Sequence, residues 1–557
     1  MLKIHRRYRH LKRYRQIAVV LVKYGFADLV ERLNLGAYLQ VGRRLLRLKG
    51  TPEGGSTARR IRMALEELGP TFVKLGQVLS TRSFLVPADV VAELSLLQDQ
   101  VRPEPFSALE PVLHQELQGP LGQHFPWFDS EPLASASIAQ VHRARTADGH
   151  EVVVKIQRPG IAESIEADME ILLDLARLIE RHLPESGQFA PVAMVEELAR
   201  STRRELDFVA EARNVELFAR NCAKLSGVHV PAVFWNLTTT RVLTLEYVEG
   251  VKISEVDKLR DMGVDLRELV RRGTDFVLKQ IFEDGFFHAD PHPGNLLVRR
   301  DGAIVPVDFG IMGRLDDEML SLFADLLLGV TRRDVELVVR VMAQMGIVTP
   351  GGDERTLRLD ISEFIDRYYG LALRKVRMKA LLEEAVALLV RHRLRVPSNL
   401  MLLGKTLGAY EDLAARLDPD FSFAAAVGPY ARKLMWRQFE PGRLVYQVGR
   451  TMRELYQLSL VVPRHVETLL RRLSAGRLGA ELHHQGLENL IREIDRSSNR
   501  LSFSLIIAAL IVASSMIITA GLGPRLFGLS VLGVAGYLFA GLLGVWLVVA
   551  ILRSGRL

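Results

Sequence analysis

Residues 501–523 (LSFSLIIAALIVASSMIITAGLG) and 526–552 (LFGLSVLGVAGYLFAGLLGVWLVVAIL) contain no charged side chain. Each run exceeds the roughly 20 apolar residues that carry a helix across a bilayer. Hydrocarbon offers no partner to an unpaired peptide group, so both runs are expected to be helices. Only Pro524 and Arg525 separate them, which predicts a transmembrane hairpin. Arg492, Arg496 and Arg500 precede the first run, Arg553 and Arg556 follow the second, and Arg525 alone sits in the turn. Positive flanks stay in the cytoplasm, so both termini and residues 1–500 are expected there. Gly536, Ala540 and Gly544 form a small-residue stripe, expected to pack on Ala509 and Ala513 of the first run.

Charge placement excludes other classes. The chain of 557 residues carries a net charge of +8, but seven cations (Lys3, Arg6, Arg7, Arg9, Lys12, Arg13 and Arg15) lie in residues 1–16, where there is no acid. Three more lie beyond residue 500, which leaves −2 for residues 17–500. The main body is therefore not a nucleic-acid binder. The basic arm is not a secretory signal, because Lys23 interrupts the short apolar run Ile17–Val22. It is expected to lie on anionic lipid. The single cysteine, Cys222, excludes a disulfide framework and a multi-thiolate zinc site. His114, His124 and His229 show no metal-ligand spacing.

Between the charged ends, residues 17–125 read mostly helical, as in Ala58–Leu68 and Ala88–Leu97, with a loop at Gly54-Gly55-Ser56 and a break at Pro103 and Pro105. From residue 131 the period shortens to two. Ile138–Arg145 and Glu151–Gln157 read as strands around Asp148-Gly149. Residues 161–183, 191–223, 262–286 and most of 315–495 read as helices, and Arg241–Val248 as a strand.

The chemistry concentrates in His288-Ala289-Asp290-Pro291-His292-Pro293-Gly294-Asn295, followed by a hairpin and Asp308-Phe309-Gly310. A two-residue turn at Asp301-Gly302 would set Asn295 opposite Asp308. An amide oxygen and a carboxylate at one hairpin mouth suit Mg²⁺, which takes one or two protein oxygens together with water and phosphate. Asp290 enters the same mouth and could orient a nucleophile or accept its proton. Lys155, in the apolar strand Val152–Ile156, is the candidate phosphate cation, with Glu211 as the partner that positions it. Strand lysine, helix glutamate, H-x-D-x-x-x-x-N and D-F-G in that order follow protein-kinase logic. No G-x-G-x-x-G precedes Lys155; Ala134-Ser135-Ala136-Ser137-Ile138-Ala139-Gln140-Val141-His142 stands in its place. Alanine avoids the positive φ that glycine uses to approach phosphate, so nucleotide handling should differ from an ordinary kinase. The candidate nucleotide-binding set is this segment with Lys155, Glu246 and Val248.

On these motifs the sequence resembles the UbiB family of atypical protein-kinase-like proteins (the aarF/ADCK group). Lys74-Leu75-Gly76-Gln77 matches its K-x-G-Q, Ala134–His142 its alanine-rich loop and Glu205-Leu206-Asp207 its E-x-D. The departure is Ser135, where several relatives have an unbroken alanine run. The resemblance implies an α+β, mostly helical, two-lobed kinase-like fold: a basic arm and helical extension (1–125), an N-lobe (126–250), a C-lobe with a helical extension (251–495), and the two membrane helices. It implies that the extension lies over the cleft, with Lys74 and Gln77 near Glu205 and Asp207, blocking protein substrates while admitting ATP and Mg²⁺. It also implies a bacterial inner-membrane protein supporting ubiquinone or another prenylquinone, with quinone-precursor lipids and quinone-biosynthesis enzymes as partners and the phosphoryl acceptor open. Homodimerisation is left open. Two other readings stand beside it: a small-molecule or lipid kinase of the aminoglycoside-phosphotransferase type, and a membrane scaffold that senses nucleotide without turnover.

Overall fold

A computed structural model describes residues 2–32, 55–80, 88–97, 102–182, 191–347, 353–369, 376–392, 394, 397–437, 452, 456, 487–520, 524–526 and 529–553. Gly54, much of the predicted helical run between 438 and 486, and Arg556 lie outside the described residues. Two compact units emerge, Met1–Gln447 and Val448–Leu557.

The first unit begins with a helical layer: α1 (Leu2–Lys23), α2 (Thr57–Leu68), α3 (Pro70–Ser80) and α4 (Ala88–Leu94). The Ser56 side chain caps α2 by accepting from Arg59 N–H, and Pro70 opens α3, where its missing N–H costs nothing. Helix α1 is more than a charged arm. Its Ile17, Ala18 and Val20 are buried. Arg13 donates to Asp168 at 2.7 and 2.9 Å and to the Leu68 carbonyl at 2.6 Å. That cation of the basic arm is engaged inside the protein.

Helix α5 (Phe106–Leu117) leads into the antiparallel sheet β1 (Trp127–Ser135), β2 (Ala139–Arg145), β3 (Glu151–Gln157) and β4 (Val242–Glu246), in that order. The sheet begins earlier than residue 131, because β1 is an irregular edge strand with register shifts between Phe128 and Ala134. Period-two alternation divides the sheet between two cores. Val152, Val154 and Ile156 face α5 and its Leu109, Val112 and Leu113. The opposite face, carrying Val141, Val153, Lys155 and Leu243, fronts the site. Helices α6 (Ile161–His182), α7 (Pro191–Glu205) and α8 (Phe208–Cys222) follow β3. The predicted helix 191–223 is broken at Leu206-Asp207, where Asp207 accepts from Val209 and Ala210 N–H at 3.1 and 3.3 Å and starts α8. An aspartate that caps ends one helix and begins another.

The C-terminal half of this unit holds α9 (Leu266–Lys279) and the short ladders β5–β7–β8 (Val251–Lys252, Leu296–Val298, Ile304–Pro306) and β6–β9 (Phe286–His288, Met312–Arg314). Further helices follow, among them α10 (Ser398–Leu417). The β7–β8 register corrects the expected turn. Leu296 pairs with Pro306, and Arg299 N–H bonds the Ala303 carbonyl at 2.9 Å. The loop therefore has three residues, Arg300–Gly302, with Gly302 at φ 76°. Three-residue hairpins take glycine at that left-handed position. The consequence is a one-residue slip: Asn295 meets Val307, whose N–H bonds its carbonyl at 3.0 Å, rather than Asp308.

In the second unit, α11 (Leu487–Ala520) and α12 (Val531–Arg553) pack on each other, joined by a small ladder of Arg525–Leu526 with Leu529–Ser530. Ser497–Ala520 and Val531–Val548 are long and apolar enough to cross a membrane. The contact between the helices differs from the expected one. Ala509 and Ala513 are exposed, and among the described residues of α11 the buried one is Ser514. A Cβ at Gly536 would lie 2.2 Å from Ser514 Oγ, and one at Gly533 2.4 Å from Ile518 Cγ1. Ala540 is buried, whereas a Cβ at Gly544 would meet nothing within 4 Å. The close approach is thus made by Gly533 and Gly536, whereas Gly544 faces open space and the helices meet beside it through Phe503 and Trp546, whose ring centroids lie 6.0 Å apart.

Candidate active site

Lys155 projects from β3 and donates to Glu211 Oε1 and Oε2 at 2.7 and 2.9 Å. Its ammonium also lies 3.4 Å from Asp308 Oδ1 and 5.2 Å from the Phe208 ring centroid. Burial by itself would lower the Lys155 pKa, but the Asp308 and Glu211 carboxylates reverse this and hold it above its ordinary value. The two acids are not equivalent. Glu211 is 4% exposed, and burial pushes its pKa up against the opposing pull of Lys155. Asp308 is 48% exposed, and Lys155 above all draws it down to about 2. The ammonium thus joins a deep anchor to an ionised carboxylate open to the cleft.

From Asp308 the network continues through the loop His288–Asn295. The backbone carbonyl of Asp308 accepts from His288 Nε2–H, and His288 Nδ1 accepts from Asp290 N–H at 3.3 Å. Burial lowers the His288 pKa, and these bonds require the neutral Nε2–H tautomer. Asn295 Nδ2 donates to the carbonyl and to Oδ2 of Asp290, each at 3.3 Å. His292 accepts from Gly294 N–H at 3.1 Å and shapes the loop. A histidine held neutral in the fold but titrating normally when unfolded favours unfolding as pH falls. Stability should therefore drop below about pH 6.5, by up to about 1.4 kcal/mol per pH unit. Urea titrations at pH 5, 6 and 7 should show a shallower pH dependence for His288→Asn than for the parent.

The donor set fits Mg²⁺ with nucleotide. Asn295 Oδ1 and Asp308 Oδ2 have no hydrogen-bond partner among the described residues. Among those residues no group of three or more His, Cys, Asp or Glu could hold a metal by itself. An amide and one carboxylate suit an ion that completes its shell with phosphate and water. In the alanine-rich segment, Ala134 and Ser135 end β1, Ala136–Ile138 form the turn, and Ala136 N–H bonds the Ala139 carbonyl at 2.9 Å. No residue of this turn has positive φ. The flanking strand residues divide by face. Ala139 and Val141 share the face of Lys155, whereas Gln140 and His142 point the other way. His142 is fully buried, its ring 5.4 Å from that of Phe128, and burial lowers its pKa. The Glu246 side chain accepts from His229 and from Ala232 N–H, each at 3.1 Å, and Val248 lies between β4 and β5, outside both ladders.

The K-x-G-Q helix reaches the site through its neighbours. Lys74 on α3 forms an ion pair with Glu205, the last residue of α7. Two residues on, Asp207 caps α8, and α8 carries Glu211. Gln77 Nε2 lies 3.4 Å from the Leu97 carbonyl. At Gly76 a Cβ would fall 2.3 Å from Leu97 Cδ1 and 2.9 Å from Leu65 Cδ1, so glycine is what lets α3 approach α2 and the end of α4. Gly76→Ala should cost about 1–3 kcal/mol through overpacking, read as a lowered unfolding midpoint.

Three contributors escaped the sequence reading. Arg158 follows β3 and binds the Ala136 carbonyl, Ser135 Oγ, Glu104 Oε1 and the Arg102 carbonyl at 2.8–3.1 Å, tying the alanine-rich turn to the extension. Gln280 accepts from His288 N–H at 3.0 Å. Lys405 on α10 donates to Asp290 Oδ1 at 2.9 Å. Lys405 left a trace, being the only charged residue between Ser398 and Tyr410, but a lone lysine on a helix usually marks a solvated rim. Cys222 takes no part: burial raises its thiol to about 12.

A β3 lysine paired with a helix glutamate, beside an Asp–Phe–Gly aspartate and an H-x-D-x-x-x-x-N loop, is the site of a kinase-like fold. The comparisons agree. Residues 96–342 match the ABC1 atypical kinase-like domain, 361–422 the UbiB helical domain and 485–553 the ABC1/UbiB kinase-like C-terminal domain. A Clostridium pasteurianum protein described as an uncharacterized protein in the hydrogenase 1 5′ region is 34% identical over 98% of this chain and 99% of its own. A probable protein kinase UbiB from Xanthomonas euvesicatoria is 31% identical over 97% of this chain and 98% of its own. The chloroplastic Arabidopsis thaliana protein ACTIVITY OF BC1 COMPLEX KINASE 7 is 34% identical over 76% of this chain and 62% of its own. The chain belongs to the ABC1/UbiB family of atypical kinase-like proteins.

Proposed function

We propose that this protein is a membrane-anchored, Mg²⁺-ATP-dependent phosphotransferase or ATPase that supports ubiquinone or related prenylquinone synthesis. The observation that carries the catalytic reading is the unbroken chain of contacts from Glu211 through Lys155, Asp308 and His288 to Asp290 and Asn295. Lys155, anchored by Glu211, would hold phosphate oxygens. Asp308 and Asn295 would hold Mg²⁺, whose charge offsets that developing on the phosphoryl group. Asp290 would orient the attacking hydroxyl or water, with Asn295 fixing its direction.

The apolar length of the two C-terminal helices supports the anchor. Their arginine flanks support a cytoplasmic site. The cations of residues 1–16 other than Arg13 add attraction to anionic lipid. The Lys74–Glu205 pair supports an extension that restrains the lobe bearing Glu211 and excludes protein substrates. The quinone assignment rests on the family resemblance. Purified full chain in detergent should release phosphate from ATP only with Mg²⁺, and a deletion strain should accumulate a quinone precursor. Phosphate release that ignores chelation would refute the metal assignment, and an unchanged quinone profile would refute the pathway assignment.

A further inference from the structure

Deepening the nucleotide reading, and resting on it, we propose that Lys405 is the terminal-phosphate cation of this site, supplied by a helix outside the kinase-like core. Lys405 stands in the segment that matches the UbiB helical domain, whereas every other residue of the network lies between 155 and 308. Its Nζ lies 2.9 Å from Asp290 Oδ1, while Asn295 occupies Oδ2 at 3.3 Å. Asp290 orients the acceptor, so a cation one hydrogen bond away stands where the transferred phosphoryl group meets that acceptor. Lys155 cannot cover this position: its ammonium is held between Glu211 and Asp308 at the opposite end of the network. The two exposed carboxylates, Asp290 and Asp308, would otherwise face an anionic nucleotide with Mg²⁺ and Lys155 gathered at Asp308 and no cation at Asp290.

The placement is supported from behind. Flanking Lys405 on α10, Leu403, Leu407 and Tyr410 are buried, so the stem rises from a fixed helix. The head group is not buried. Side-chain exposure is 39% for Lys405 and 34% for Asp290. A half-exposed pair of this kind adds little to stability, and a small cation on a four-carbon stem can turn from a carboxylate to a phosphate.

The test is nucleotide affinity. With Mg²⁺, calorimetric titration of the detergent-solubilised full chain would compare ADP with the non-hydrolysable β,γ-imido analogue of ATP. For Lys405→Gln, affinity for the triphosphate should fall about ten- to a hundredfold, the worth of a charged phosphate hydrogen bond. ADP affinity should stay within twofold, and Lys405→Arg should restore most of the preference. Equal weakening of both ligands, or no change in either, overturns the assignment while leaving the nucleotide reading intact. A parent chain that binds neither ligand removes that reading, and this inference with it.

Discussion

Asp308→Asn should lower Mg²⁺-dependent ATP turnover about a thousandfold, the scale on which charge stabilisation at a reacting phosphoryl group acts. Asp308 is ionised well below neutral pH because Lys155 stands beside it, and Oδ1 also accepts from Gly310 N–H at 3.1 Å. Asparagine preserves the shape and removes the charge that would face the metal. The side chain is 48% exposed, so the fold should survive the change. Phosphate release and a thermal melt on one preparation check this. Parent-like turnover in a well-folded variant would sink the metal assignment.

Lys155→Met should abolish turnover and also destabilise the fold, and pH separates the two effects. Without the ammonium, Glu211, 4% exposed, remains a buried acid close to Asp308. Leaving a buried charge unpaired costs about 3–5 kcal/mol. Burial already raises the Glu211 pKa, and removing Lys155 raises it further. A carboxyl whose folded pKa lies above its unfolded value stabilises the fold at low pH and loses that contribution as pH rises through the folded value. The deficit should therefore be small near pH 4.5 and large at pH 7.5. Adding Glu211→Leu should restore most stability at pH 7.5 and no turnover. Urea midpoints at both pH values decide it; a deficit independent of pH would mean that Glu211 is not the group left stranded.

The chemistry-bearing residues were legible because their types are costly to misplace. A lysine alternating with Val152, Val154 and Ile156 must face away from the core those residues fill. Asp207, an Asp just before an amphipathic run, is a cap signal that the continuous-helix reading passed over. The hairpin was predicted one residue out of register, because Asp-Gly fits both two- and three-residue loops and only the ladder, pairing Leu296 with Pro306, decides between them. The Asn295 and Asp308 side chains enter one network all the same, since Asp308 lies beyond β8, where the chain has left the ladder.

Local pattern alone thus determined the two apolar helices, the strand–helix order and most of the candidate site residues, because periodicity, charge and motif spacing are properties of neighbours in sequence. Tertiary structure decided what depends on distant approach. It set Lys74 against Glu205, locked Arg158 into the alanine-rich turn, placed Ser514 between Gly533 and Gly536, and brought Lys405 across 115 positions to Asp290. A lone charged or small side chain looks the same on any helix. Its partner is chosen only when packing brings another element within a few ångströms, where hydrogen bonds and ion pairs act.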